Sequence, residues 1–403
     1  MTQNEAAPAA RKPPAPFSTL DTTPEKARAS LREARAQCPV AHNSQGPEFY
    51  TPLRYADVKK AAQDWRTFQS SPSIMRPVPN RPKAPPIEFD PPEHTAWRKI
   101  FHQAANPATA RRIEPLVQAD ARELIDRFAA RGHCELIEEL AEPLPLRALC
   151  HVLGLNRDKA QQVRQMTVEL NTSYGDEARV AAAFARFAEF GAAEVARRRD
   201  EPRDDMLTAL SEMRIDDEPL TVEQIGQFMV SFLSAGHSST VAGLGQVIRD
   251  VLADQKLRDR VTADPTLIPL AVEESLRLSP PFFGFFRQVA TDTEVSGVSL
   301  EAGESVFLCW AAANLDPEAF PEPDRFDIDR KAARILTFGF GIHACPGAPM
   351  ARMELSVTLA ELLRRLPDIE LVDPDAIRYD FEAAGTRVAM RDLRARFTPS
   401  TGT

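Results

Sequence analysis

The feature that most limits what this chain can become is an apolar run from Thr221 to about Asp254. It opens on Thr221-Val222-Glu223-Gln224, a capping box in which a threonine hydroxyl and a glutamine side chain satisfy backbone N–H groups reciprocally. The run predicts one helix roughly 50 Å long at the usual rise per residue, a rod that crosses a whole domain. Midway it carries Ala235-Gly236-His237-Ser238-Ser239-Thr240. Gly236 permits close approach, and the hydroxyls can bond back to i−4 carbonyls and loosen the helix. Taken alone, this is a small-residue helix contact.

A second stretch has chemistry of its own: Phe338-Gly339-Phe340-Gly341-Ile342-His343-Ala344-Cys345-Pro346-Gly347. Gly339, Gly341 and Gly347 remove side chains where the backbone must turn or approach a flat ligand, and Pro346 starts a helix. A sulfur at a helix N-terminus sees free N–H groups that favour thiolate, the metal-binding form. A buried thiol in a glycine-rich turn is the plainer alternative. The other cysteines, Cys38, Cys134, Cys150 and Cys309, are scattered and form no Cys-x-x-Cys pair, which argues against a disulfide scaffold or zinc site and for a reducing compartment.

Taken together, Phe-Gly-x-Gly-x-His-x-Cys-x-Gly resembles the heme-binding signature of the cytochrome P450 family. The resemblance makes Cys345 the axial iron ligand, with the thiolate pushing electron density toward O–O cleavage. His343, Phe338, Gly339 and Gly347 join it as heme contacts, and the implied cofactor is heme b, iron protoporphyrin IX. Four further motifs, in the family's order, extend the resemblance over Asp90 to Glu354. In Asp90-Pro91-Pro92-Glu93-His94-Thr95-Ala96-Trp97-Arg98, His94 and Arg98 stand at i and i+4 on one helix face. They resemble the pair that binds a heme propionate, a carboxylate suited to Arg and a donor His. Gly236 to Thr240 resembles the oxygen-activating motif. Ser238 stands there in place of the usual acid and Ser239 in place of the threonine, so the hydroxyl survives and the carboxylate does not. Ala235 would face the pocket.

Glu274 and Arg277, at i and i+3, resemble the family's internal ion pair, with Arg325 of Pro323-Asp324-Arg325-Phe326 as its third member. Pro280-Pro281-Phe282-Phe283-Gly284-Phe285-Phe286-Arg287 turns into strand-like alternation, with Gly297 and Gly303 as turn signals. By resemblance this strand passes the heme, Arg287 meets a propionate, and Phe282, Phe283, Phe285 and Phe286 supply candidate pocket rings, although four phenylalanines this close also suit a core.

The remaining elements are scaffold. A helix is predicted over Thr23–Ala36, a strand over Glu48–Leu53 and a helix from Tyr55 to Asp64. Prolines at 72, 77, 79, 82, 85, 86, 91 and 92 exclude regular structure from Ser71 to Pro92; the matching family loop covers the substrate pocket. From Pro107 to Arg203 the pattern is mostly helical, with breaks at Pro143, Pro145 and Gly154, and the family places the Leu170 to Tyr174 segment over the pocket. His102, His133, His151 and Asn171 read as structural or surface residues. A helix follows from Ala348 to Leu366.

The implied fold is mainly α, the single-domain triangular cytochrome P450 fold with small β-sheets, over residues 21–403, after a disordered tail at 1–20. With 43% hydrophobic and 27% charged residues the chain can bury a large core, and its net charge of -9 gives no case for nucleic acid. The tail holds no apolar run for a signal or membrane span, so the expectation is a cytoplasmic, soluble bacterial-type member, monomeric and without a membrane anchor. The implied activity is monooxygenation: one atom of O2 enters a small or medium apolar substrate, aromatic ones included, by hydroxylation or O-dealkylation. No flavin or iron–sulfur segment is visible, so electrons come from a separate ferredoxin and its NADH- or NADPH-dependent reductase, docking by Lys99, Arg111, Arg112 and Arg352. The missing acid at Ser238 keeps a peroxide-using or ring-coupling relative in view. A heme-based sensor is the non-enzymatic alternative.

Overall fold

The computed structural model describes residues 23–44, 48–76, 78, 80–173, 176–331, 334–382 and 387–400; the expected tail at 1–20 lies outside them. The described residues form thirteen α-helices: α1 (Pro24–Gln37), α2 (Tyr55–Gln63), α3 (Glu93–Ala104), α4 (Pro107–Ala129), α5 (Pro143–Leu153), α6 (Arg157–Ser173), α7 (Glu177–Asp200), α8 (Met206–Glu212), α9 (Val222–Ala253), α10 (Gln255–Ala263), α11 (Ile268–Leu278), α12 (Trp310–Asn314) and α13 (Ala348–Arg365). The fold is mainly helical, as the sequence predicts.

The rod is α9. Thr221 Oγ1 accepts from Gln224 N at 3.1 Å while Gln224 Oε1 accepts from Thr221 N at 2.9 Å, completing the capping box. Val222–Ala253 then runs unbroken, with Ile225, Phe228, Met229, Phe232, Leu244, Val247, Ile248 and Val251 buried. Helices α4, α5, α7, α11 and α13 pack into the same core. Glycines set the closest approaches: a Cβ on Gly226 would lie 2.6 Å from that of Ala188 on α7.

The main sheet joins distant parts of the chain. Strands Val40–Asn43 and Phe49–Pro52 form an antiparallel pair, followed across the sheet by Ser305–Cys309, Gly284–Val289 and Phe68–Gln69. This is the small sheet expected from the N-terminal strands and the Phe282 region. Its register sets Phe286 opposite Phe307 and Arg287 opposite Val306. Gly297, with φ +82°, turns the neighbouring hairpin Thr293–Leu300. A short strand, His133–Glu135, interrupts the stretch read as helical, because Arg394–Arg396 pairs with it from the far end of the chain. No local pattern announces such a partner.

Candidate active site

The cysteine loop is shaped by backbone before side chains. Gly339 and Gly341 take φ +69° and +71°, values that disfavour residues with a Cβ. A Cβ on Gly341 would lie 2.3 Å from Ala62 O, so the loop is pressed against the end of α2. Cys345 N donates to Phe338 O at 2.7 Å and closes the loop, and α13 starts three residues on. A Cβ on Gly347 would meet only Cys345 Sγ, at 3.8 Å, leaving the space beside the sulfur open.

Cys345 is the exposed thiol; Cys134, Cys150 and Cys309 are buried and Cys38 is half-buried. Burial pushes Cys134, Cys150 and Cys309 up to about 12, which makes them inert. Protein around Cys345 also pushes its pKa up, against the N–H groups of Gly347 and Ala348 and the cations Arg98 and Arg352. A bound metal cation would displace the proton.

Four cationic or donor side chains gather beside the loop. His94 is buried on α3, and its ring meets that of His343 edge-on at 4.5 Å. Arg98, one turn along α3, donates to Ala344 O and ties the helix to the cysteine loop. Arg287 is buried in the sheet, and its guanidinium donates to Phe286 O at 2.8 Å; burial lowers its pKa to about 10. His343 is pushed to about 4, first by burial and then by Arg287 and His94, despite Asp90. His94 Nε2 and His343 Nδ1 are buried without a hydrogen-bond partner among the described residues.

Orphaned donors and desolvated cations are costly inside a protein, and a ligand with two carboxylates repairs the fault. The cluster therefore fits the propionates of a heme whose iron is held by Cys345.

On α9, Ala235 is exposed although most of the helix is buried, and Ser239 lies one turn on along the same face. Ser239 Oγ donates to Ala235 O at 2.7 Å and Ser238 Oγ to Ser234 O at 3.2 Å. Gly236 and Thr240 do not share that setting. A Cβ on Gly236 would lie 2.6 Å from Leu149 Cδ2, so this glycine serves the contact with α5, and Thr240 is buried with its hydroxyl on Gly236 O at 2.9 Å. His237 Nε2 lies 3.0 Å from Glu142 O.

The structure divides the four phenylalanines. Phe282 and Phe285 are half-buried with ring centroids 5.0 Å apart. Phe283 and Phe286, each 4% exposed, belong instead to a core cluster with Phe307. Adjacent strand residues point to opposite faces, so Phe285 and Phe286 cannot both line one pocket.

The ion-pair network needs a second correction. Arg277 donates twice to Glu274, at 2.8 Å each, inside the protein. The third member is Arg330, whose Nε donates to Glu274 Oε1 at 3.1 Å. Arg325 points outward, 60% exposed and paired with Glu322; it contributes only its carbonyl, which accepts from Arg277. The backbone turns inward after Arg325, where Asp327 N donates to Glu274 Oε1 at 2.9 Å.

Ser70 and Asp90, which the sequence reading leaves without a role, flank His343 at 3.0 Å and 3.8 Å. The described part of 71–92 holds no helix or strand. Leu170 is buried in the main core rather than over an opening, and Tyr174 lies outside the described residues. Of the surface histidines, His151 pairs with Asp120 at 2.7 Å. Of the four cations that the sequence reading offers to a redox partner, Lys99, Arg111 and Arg112 are exposed, whereas Arg352 pairs with Glu273 and stacks over Phe338 at 4.3 Å.

A cytochrome P450 family model matches residues 170–375. The chain is 35% identical to mycinamicin IV hydroxylase/epoxidase of Micromonospora griseorubida, over 82% of this chain and 85% of that one. It is 31% identical to a steroid C26-monooxygenase of Mycobacterium tuberculosis, over 93% and 94%. The chain belongs to the cytochrome P450 family. The crystal structure of CYP108D1 from Novosphingobium aromaticivorans superimposes with a TM-score of 0.83 at 28% identity, covering 93% of this chain and 95% of that one. This P450 is accordingly a monooxygenase-family oxidoreductase of bacterial type with the heme-thiolate cofactor that the family implies. No described helix is long and apolar enough to cross a membrane.

Proposed function

We propose that this P450 holds heme b between the cysteine loop and α9 and inserts one oxygen atom from O2 into an apolar organic substrate. The observation that carries the reading is the pairing of an exposed cysteine, Cys345, with the cluster of His94, Arg98, Arg287 and His343, which Asp90 approaches from the His343 Nε2 edge while His94 Nε2 and His343 Nδ1 stay buried without a partner among the described residues. Iron and porphyrin supply the oxygen chemistry when bound. The protein's part is ligation by Cys345, seating of two carboxylates by the cluster, and a hydroxyl at Ser239, on the α9 face opened at Ala235, for proton movement. The Ser239 hydroxyl can pass protons through ordered water, while Ser238 offers no carboxyl to supply them.

Phe282 and Phe285, half-buried with their rings 5.0 Å apart, offer an aromatic surface that suits an apolar skeleton. Relatives are named for hydroxylation or epoxidation of mycinamicin IV and for oxidation of a steroid at C26. Electrons come from a ferredoxin and its NADH- or NADPH-dependent reductase, steered to Lys99, Arg111 and Arg112. Residues 21–403 form the one enzyme domain, working as a cytoplasmic monomer.

Ser238 favours a second reading, turnover with hydrogen peroxide. NADH consumption with ferredoxin and reductase, measured against a library of compounds that shift the heme absorption, tests the first. Product formed only with added peroxide supports the second, and no product by either route contradicts both.

A further inference from the structure

The loop spanning residues 70–90 closes on a single carboxylate. Asp90 accepts from Ser70 N at 3.1 Å and Ser71 N at 3.0 Å, so the two ends of the loop meet there. Inside, buried Glu88 accepts from Arg81 at 2.7 Å and Ala84 N at 2.8 Å and receives the Ser73 hydroxyl. The loop lies along the sheet, where Phe286 N donates to Ile74 O at 3.0 Å and Arg76 Nε to Ser305 Oγ at 3.0 Å. Asp90 also starts α3, because its carbonyl accepts from His94 N at 3.1 Å.

This junction reaches the cysteine loop. Asp90 Oδ1 lies 3.8 Å from His343 Nε2, and Ser70 Oγ, on the residue whose N–H Asp90 holds, lies 3.0 Å from the same nitrogen. One edge of the His343 ring is thus occupied. The other edge carries buried, unpartnered Nδ1, and the ring cannot swing because His94 packs edge-on against it.

We propose that Asp90 is a positioning residue for the cofactor: by joining the loop ends and holding Ser70, whose hydroxyl donates to His343 Nε2, it fixes the ring in the tautomer that presents Nδ1–H to a heme carboxylate. The inference rests on the heme-thiolate reading. Outer partners that orient a ligand-holding histidine commonly matter by about 10–100-fold in affinity, the scale known for metal sites.

The test uses full-length holoprotein with Asp90→Asn, Ser70→Ala and His343→Phe, alone and combined. Heme transfer to excess apomyoglobin is timed, and the propionate-bending band is followed by resonance Raman. Asp90→Asn is expected to speed heme loss by about tenfold and shift that band, and Ser70→Ala, which keeps both N–H bonds to Asp90, to do so more weakly. In the His343→Phe background neither change should add more than about twofold. Equal effects of Asp90→Asn with and without His343, or an unshifted band in both single variants, would overturn the proposal. The carbonyl spectrum of the parent separates the two claims. With a thiolate-type band present, additive effects contradict the role of Asp90 alone; with it absent, the heme-thiolate reading fails and the inference with it.

Discussion

Arg277 and Glu274 face each other inside the protein through two parallel 2.8 Å hydrogen bonds, one turn apart on α11. Arg277 also donates to the carbonyls of Asn314 at 3.0 Å, Pro323 at 2.7 Å and Arg325 at 3.1 Å, so one guanidinium organises the segment that leads to the cysteine loop. Breaking a buried pair by removing one partner costs about 3–5 kcal/mol, since the other charge stays desolvated. Arg277→Ala should therefore lower the urea midpoint sharply and shed heme. Arg330→Ala should be clearly destabilising, whereas Arg325→Ala, on the surface, should change stability by less than about 1 kcal/mol. Equal effects of the last two would contradict the assigned network.

The phenylalanines separate stability from binding. Phe283→Ala and Phe286→Ala empty core space and should each cost about 3–5 kcal/mol in chemical denaturation. Phe285→Ala should leave stability nearer the parent and instead alter the affinity of compounds that shift the heme spectrum. A core-like loss at Phe285, with binding unchanged, would show that its ring is not on the cleft.

Acid stability should depend on the joint between α4 and α13. Burial pushes the Glu361 carboxyl up, but hydrogen bonds from Arg122, Arg364 and Gln118 outweigh it and hold its pKa below the usual range. A depressed carboxyl stabilises the fold above its unfolded pKa, and that contribution is lost as pH falls through the folded value. Glu361→Gln should therefore be less stable than the parent at neutral pH, with the gap closing below about pH 4.5, the ordinary carboxylate value. Denaturation midpoints across pH check this, and a gap that widens in acid would refute it.

Proton movement should pass through Ser239. Ser239→Ala is predicted to raise hydrogen peroxide release per NADH consumed, while Ser238→Asp lowers it or leaves it little changed. Product per NADH with a tight substrate is the readout. A Ser239→Ala enzyme as well coupled as the parent would exclude the hydroxyl from the route.

Where motif and fold share one local cause, the sequence is legible. The Thr221 capping box, the Gly339 and Gly341 turns and the α3 face that carries His94 and Arg98 depend on residues within one or two turns, and all stand in the structure as read. The misreadings are long-range. Whether Arg325 or Arg330 reaches Glu274 depends on a turn after Phe326, and both arginines sit in similar polar surroundings in sequence. Gly236 reads as part of an active helix motif, yet Leu149 on α5 explains it. Ser70 and Asp90 meet His343 only once the loop closes, and Ser70 has no local signal at all.

The central claim is that Cys345 holds the heme iron as a thiolate, and the carbonyl difference spectrum of the reduced protein tests it most directly. The parent should show the long-wavelength band of thiolate ligation, and Cys345→Ser should lose it while binding of heme at the His94, Arg98 and Arg287 cluster is weakened but not abolished. Retention of the band in Cys345→Ser, or its absence from the parent, would contradict the account.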